Sequence, residues 1–137
     1  MKDLELGYIA GIIDGEGTIT LNRRWKRNPY RWPVVSVSST TPEILQFLKD
    51  RLGGCICNHP PSKPHHKPHK SWRLNDLKAI RLCKQVEPFL QEPEKRRRAR
   101  LLVDGYPRVT PRNGKYTTAM REAKLAFEVE FFHPSTP

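Results

Sequence analysis

Hydrophobic positions along this chain change period from helical to alternating and back. Between Asp3 and Asp14 the apolar residues Leu6, Ile9, Ile12 and Ile13 recur at helical spacing, and Gly15 and Gly17 break the run. Thr18 to Trp25 then reads as a strand, because Thr18, Ile19, Thr20 and Leu21 alternate polar and apolar. A basic turn region, Lys26 to Pro33, leads to a second predicted strand, Val34 to Ser39, with Val35 and Val37 on one face and Ser36 and Ser38 on the other. Thr41, Pro42 and Glu43 have the character of cap, first position and first turn of a helix. Its apolar face is Ile44, Leu45, Leu48 and Leu52, and Gly53-Gly54 ends it.

Two short extended runs follow, Cys55–His59 and Ser71–Leu74, on either side of a proline-rich, basic stretch from 60 to 70 that is unsuited to regular structure. Asn75 or Asp76 caps a helix to about Leu90, with Leu77, Ile80, Val86 and Phe89 as anchors. Pro93 and Glu94 open another to Val103, stopped at Gly105, and a last amphipathic helix is expected near Thr118–Phe132. This order predicts an α+β fold in which two hairpins merge into one antiparallel sheet.

Charge narrows the partner. The 137 residues, expected to form one domain (1–137), carry 25 Lys plus Arg against 14 Asp plus Glu, a formal charge of +11 that predicts a polyanionic partner. The cations cluster: Arg23, Arg24, Lys26, Arg27 and Arg31; Lys63, Lys67, Lys70 and Arg73; Lys95, Arg96, Arg97, Arg98 and Arg100. Asp14 and Glu16 end the first apolar run too early for a membrane span, and no small-residue cleavage site follows it. A soluble, intracellular protein, cytoplasmic or organellar and not secreted, with no membrane partner, is therefore expected. Cys55, Cys57 and Cys83 are odd in number and read as reduced thiols. Cys55, Cys57 and His59 alternate along one strand, but their spacing fits no ordinary zinc module.

The densest chemistry lies in Tyr8 to Gly17. Gly7, Gly11 and Gly15 recur every fourth residue, forming a helix face without side chains against which a second backbone can pack. Glu16 sits where helix gives way to strand. An ordinary buried helix with a glycine C-cap is the plain alternative. The run Ile9-Ala10-Gly11-Ile12-Ile13-Asp14-Gly15-Glu16-Gly17 resembles, position by position, the defining motif of the LAGLIDADG homing endonucleases. That resemblance implies an α-β-β-α-β-β-α fold over about 4–104, its sheet a DNA-binding saddle, with a C-terminal loop and helix over 105–137. Only one motif is present, since Leu102-Val103-Asp104-Gly105 is a faint echo without the acid or the glycine spacing. Single-motif members of the family work as homodimers, which makes Gly7, Gly11 and Gly15 the expected dimer interface.

Phosphodiester hydrolysis by such a site needs a divalent metal, and hard cations favour carboxylate oxygen. Glu16 is the expected ligand and Asp14 a structural acid. By family analogy the Gly15 carbonyl joins the metal site, and Mg²⁺ is the cofactor, with Mn²⁺ substituting and Ca²⁺ binding without supporting cleavage. The resemblance also matches Lys95 to a catalytic lysine, with Arg96 or Arg97 as substitutes. It matches Ser39 to a polar residue that orders active-site water, with Thr40 as the alternative. Counting by two along the strands places Thr20, Asn22, Arg24, Lys26, Tyr30, Trp32 and Ser36 on one DNA-reading face. The second hairpin adds Asn58, Lys67, Lys70, Ser71 and Arg73, while Arg23, Arg27 and Lys67 suit phosphates. The implied activity is an intron-encoded type of enzyme that cuts a palindromic or pseudopalindromic double-stranded DNA site once per strand. The rival is the same scaffold without cleavage, as an RNA maturase or splicing cofactor, or as a transcription regulator. A basic coat protein has no need of the glycine seam.

Overall fold

A computed structural model of the chain describes residues 1–59 and 69–134. In order, the elements are α1 (Asp3–Glu16), β1 (Gly17–Arg23), β2 (Arg31–Ser39), α2 (Pro42–Leu52), β3 (Cys55–His59), β4 (His69–Asn75), α3 (Asp76–Val86), α4 (Pro93–Asp104) and α5 (Thr118–Phe132). Short 3-10 turns occupy Glu87–Phe89 and Tyr106–Val109. The two hairpins merge as expected into one antiparallel sheet of strand order β1-β2-β4-β3.

Strand alternation divides the sheet into two chemically different faces. Ile19, Leu21, Val35, Val37, Trp72 and Leu74 point to one side and are buried against Leu6, Ile9 and Ile13 of α1, Leu45 and Leu48 of α2, and Ala79, Leu82 and Val86 of α3. Trp72 is fully buried and its indole N–H donates to the Gly53 carbonyl at 2.8 Å, so its one polar atom is satisfied. Gly54 adopts φ +84°, and a Cβ there would run into the Arg73 carbonyl, so glycine lets α2 turn directly into β3. β4 likewise passes straight into α3 through Asp76 at φ +57°, a left-handed conformation that Asp tolerates.

Several boundaries differ from the sequence reading. α1 continues through Glu16, because Gly15 stays helical and the break falls at Gly17. β1 stops at Arg23, and β2 begins earlier than Val34, at Arg31, so Pro33 sits inside a strand. Leu77 is 59% exposed rather than an anchor, and Ala79, Leu82 and Cys83 take its place on the buried face of α3. The thiol of Cys83 is pushed up to about 12 by burial, which makes it an inert packing group.

α5 closes the fold with an unusual core residue. Lys124 is 1% exposed; its ammonium donates to Thr110 Oγ1 at 2.6 Å and lies 3.9 Å from the centre of the Tyr106 ring. Burial holds its pKa down to about 8, with Glu128 and Asp76 pulling the other way.

Candidate active site and nucleic-acid interface

The last turn of α1 is fastened from two directions. Both carboxylate oxygens of Asp14 accept backbone N–H groups of the segment before α4, from Gln91 at 3.0 Å and Glu92 at 3.1 Å. In return the Lys95 ammonium donates to the carbonyls of Ile13 at 2.8 Å and Asp14 at 2.7 Å. Those carbonyls belong to the helix terminus, where the aligned peptide dipoles leave partial negative charge, so a cation there is doubly favourable. Glu92 caps α4, accepting from the N–H groups of Glu94 and Lys95. Gly17 completes the junction: a Cβ there would lie 2.7 Å from the Ile13 Cα, so only glycine lets strand leave helix this sharply.

Glu16 projects from this fastened end. It is exposed, and among the described residues its carboxylate makes no hydrogen bond or ion pair. It borders an open cavity of about 410 Å³ shared with Ile12, Ser38, Ser39, Thr40, Thr41, Ile44 and His69. Ser39 and Thr40 thus share a cavity with Glu16, although the Ser39 hydroxyl already accepts from the Thr41 N–H at 3.0 Å. Arg96 and Arg97 are turned elsewhere. Arg96 pairs with Glu87 at 3.3 Å, while Arg97 pairs with Glu94 at 2.7 Å and donates to the Phe131 carbonyl at 2.7 Å. Arg100, aided by Arg96, holds the Glu87 carboxyl below its ordinary range, and Arg97, aided by Arg98, does the same for Glu94. Of the three basic residues considered for the site, only Lys95 reaches the end of α1.

The donor set around Glu16 suits a hard cation, being carboxylate, hydroxyl and backbone oxygen. Among the described residues, however, no three His, Cys, Asp or Glu side chains gather as a metal site. One chain offers one acid. The glycine face of the same helix is open: nothing lies within 4 Å of a Cβ built at Gly7, Gly11 or Gly15. Leu4, 87% exposed, and Tyr8, 53% exposed, flank that face and enlarge it as an apolar stripe.

The sheet face away from the helices is polar apart from Val34, which is buried between Thr20 and Asn75. Strand register sets Thr18 opposite Ser36 and Asn22 opposite Trp32, then Ser36 opposite Arg73 and Ser38 opposite Ser71. Thr20, Asn22, Trp32, Ser36, Ser71 and Arg73 therefore share the face anticipated for them. Thr18 and Ser38 join them, Ser38 beside Ser36 as the alternation predicts, although neither was counted among the DNA-reading residues. Cys57 and His59 reach the same face through the β3–β4 pairing, as do Cys55 and His69. Ser71 is 8% exposed and bonded within the sheet, to Ser38 Oγ at 3.1 Å and His59 Nε2 at 2.6 Å.

Other expected members of this face lie elsewhere. Asn58 and Lys70 oppose each other on the helix side at the sheet's end, because each is one residue out of phase with Ser71. Arg24 and Lys26 fall in the turn beyond β1, since the alternation ends at Arg23. Tyr30 also precedes its strand; its ring stacks on Tyr116 at 4.1 Å and its hydroxyl accepts from Arg121 at 3.1 Å, so α5 holds it. Lys67 lies outside the described residues. Among the described residues no helix is long and apolar enough to cross a membrane.

No family sequence model matches the chain, and no curated protein sequence matches it. Solved structures do. The homing endonuclease I-CvuI, in complex with its target in the presence of calcium, matches at TM-score 0.71 and 15% identity over 98% of this chain and 83% of that one. The archaeal intron-encoded homing endonuclease I-Vdi141I, complexed with DNA, gives TM-score 0.61 and 20% identity over 99% of this chain and 87% of its own. The LAGLIDADG homing endonuclease I-GzeII gives 0.64 and 10% identity, and there 92% of this chain spans only 43% of the other. At these identities the likeness establishes the fold.

Proposed function

We propose, from a chain with the fold of the LAGLIDADG homing endonucleases, that it is a site-specific double-stranded DNA endonuclease acting as a homodimer. The observation that carries the reading is the pairing of an exposed, unpartnered Glu16 carboxylate with an open glycine face on the same helix. Two copies joined through Gly7, Gly11 and Gly15 bring two Glu16 carboxylates to one axis, and a twofold axis matches a palindromic or pseudopalindromic site. The match to one part of the longer I-GzeII chain supports the same arithmetic, with two units of this size making one enzyme.

Within that site each residue has a defined task. Glu16, with the Gly15 carbonyl, holds Mg²⁺; Mn²⁺ substitutes, and Ca²⁺ binds without supporting cleavage. A bound divalent ion supplies the charge that lowers the pKa of water and offsets negative charge on the reacting phosphate. Lys95 fixes the helix end from which Glu16 projects, and two of its three N–H donors are committed there. The third leaves a positive charge beside the scissile phosphate. Ser39, or Thr40 beside it, orders water in the Glu16 cavity. Thr20, Asn22, Ser36 and Arg73 face the major groove, and Lys70 and Asn58 at the sheet's end contact backbone rather than bases.

The test incubates the protein with its own flanking gene sequence, the presumed insertion rejoined, in Mg²⁺. A discrete double-strand cut that disappears in Glu16→Gln while binding persists is expected. Tight binding without nicking in either Mg²⁺ or Mn²⁺ would instead make the protein a binder on the same scaffold.

A further inference from the structure

The β1–β2 turn carries an aromatic arrangement that the cleavage site does not use. The Arg24 guanidinium carbon lies 4.3 Å from the centre of the Trp32 ring and 5.1 Å from that of Trp25. Trp32 stands opposite Asn22 on the polar sheet face, so a residue beyond the end of β1 is drawn back onto that face. Trp25 is itself 57% exposed. Among the described residues Arg24 has no carboxylate partner, in contrast to Arg31, Arg96, Arg97, Arg98 and Arg100, all of which pair with Glu. A long, flexible cation is held by two rings and left with its hydrogen-bonding edge unspent.

We infer that Arg24 is a specificity-determining residue that reads a guanine in each half-site, with Trp32 as its positioning residue. This rests on the nuclease reading above. A guanidinium whose carbon sits over a ring leaves N–H donors at its rim free, and their fork matches the O6 and N7 acceptors of guanine in the major groove. The ring on the sheet face removes the rotamer freedom that would otherwise make arginine a non-selective phosphate contact. β1 is seven residues long, at about 3.3 Å each, so the stack lies on the order of 20 Å from Glu16. At about 3.4 Å per base pair, that puts the guanine roughly six base pairs out from the cutting centre.

The experiment selects bound duplexes from a twofold-symmetric random-sequence DNA library in Ca²⁺ and compares base profiles among variants. The wild-type protein should enrich guanine at one outer position of each half-site, by about tenfold over other bases. Arg24→Lys keeps the charge and the salt dependence of binding but loses the fork, so that one position should become random while inner positions persist. Trp32→Leu should relax the same position, and Trp32→Phe should restore it, which a merely structural tryptophan would not do. An Arg24→Lys profile superimposable on wild type would overturn the inference, making Arg24 a phosphate contact. A wild-type protein that binds but enriches no sequence anywhere would overturn the site-specific reading itself, a distinct result.

Discussion

Replacing Gly11 by leucine separates the stability of one chain from the pairing of two. Gly11 is inside α1, and no atom lies within 4 Å of a Cβ built there, so in a single chain the new side chain projects into solvent. Glycine within a helix is about 0.5–1 kcal/mol less favourable than alanine, and leucine is close to alanine. The isolated chain should therefore gain about 0.5–1 kcal/mol, or roughly 2–5 °C in Tm for a domain of this size. In the proposed dimer the same position would face the partner's α1, where close backbone approach requires small residues. Two leucines, one from each chain, push the helices toward the ordinary separation of about 8–10 Å and dismantle the seam. Sedimentation equilibrium combined with urea unfolding at several protein concentrations reads both effects, because a dimer's apparent stability rises with concentration and a monomer's does not. Gly11→Leu should be monomeric with a concentration-independent midpoint. A variant that stays dimeric would place the contact between copies elsewhere, one that unfolds more readily than the wild-type chain would show that the glycine face is not free, and either would refute the reasoning.

Asp14 and Glu16 should respond oppositely to neutralisation. Asp14→Ala strips the acceptor from two backbone N–H groups and should cost about 1–3 kcal/mol in urea melts. Glu16→Gln removes an acid from the negative end of a helix and should leave stability unchanged or raised by a few tenths of a kcal/mol, while abolishing cleavage. Lys124 should make stability depend on pH in the alkaline range. Its folded pKa of about 8 lies below the ordinary lysine value of 10.5, so above pH 8 the unfolded chain binds more protons and stability rises. Above pH 10 the trend reverses, because burial holds the Tyr106 hydroxyl up to about 12 and the unfolded tyrosine ionises first. Lys124→Met should abolish the rise from pH 8 to 10 and stabilise the chain at pH 7 by up to about 3 kcal/mol, read from chemical denaturation across that range. A flat wild-type profile would mean that the ammonium is solvated.

Local chemistry made much of this architecture legible. Alternation at Ile19, Leu21, Val35 and Val37 determines which sheet face is buried, and Thr41-Pro42 and Gly53-Gly54 bracket α2 as their dihedral preferences require. Asp14 and Glu16 could be told apart beforehand because they leave the helix end in different directions. What stayed hidden depended on pairing between distant strands. Whether Asn58 and Lys70 share a face with Ser71 is decided by the β3–β4 register, across a segment whose length says nothing about phase. The departure of Tyr30 from the reading face was equally invisible, since Tyr116, just before α5, and Arg121, on it, arrive from far along the chain.

The third basic cluster shows why net charge alone overstates the surface open to nucleic acid. Of its five cations, Lys95 ties the end of α1 and Arg97 the end of α5, while Arg98 donates to the Ile19 carbonyl of β1. Arg96 and Arg100 pair with Glu87. α4 is a clamp in which a helix rich in arginine supplies donors to carbonyls that helix termini and a sheet edge leave without partners. That clamp has a consequence for the acid. Glu16 sits at the negative end of its own helix dipole, and two such ends brought to one axis repel each other. Lys95 offsets the repulsion within each chain by holding a cation against the last carbonyls. The remainder falls on whatever positive charge enters between the two carboxylates. Assembly of the proposed dimer and capture of a divalent cation are therefore thermodynamically linked, and each strengthens the other.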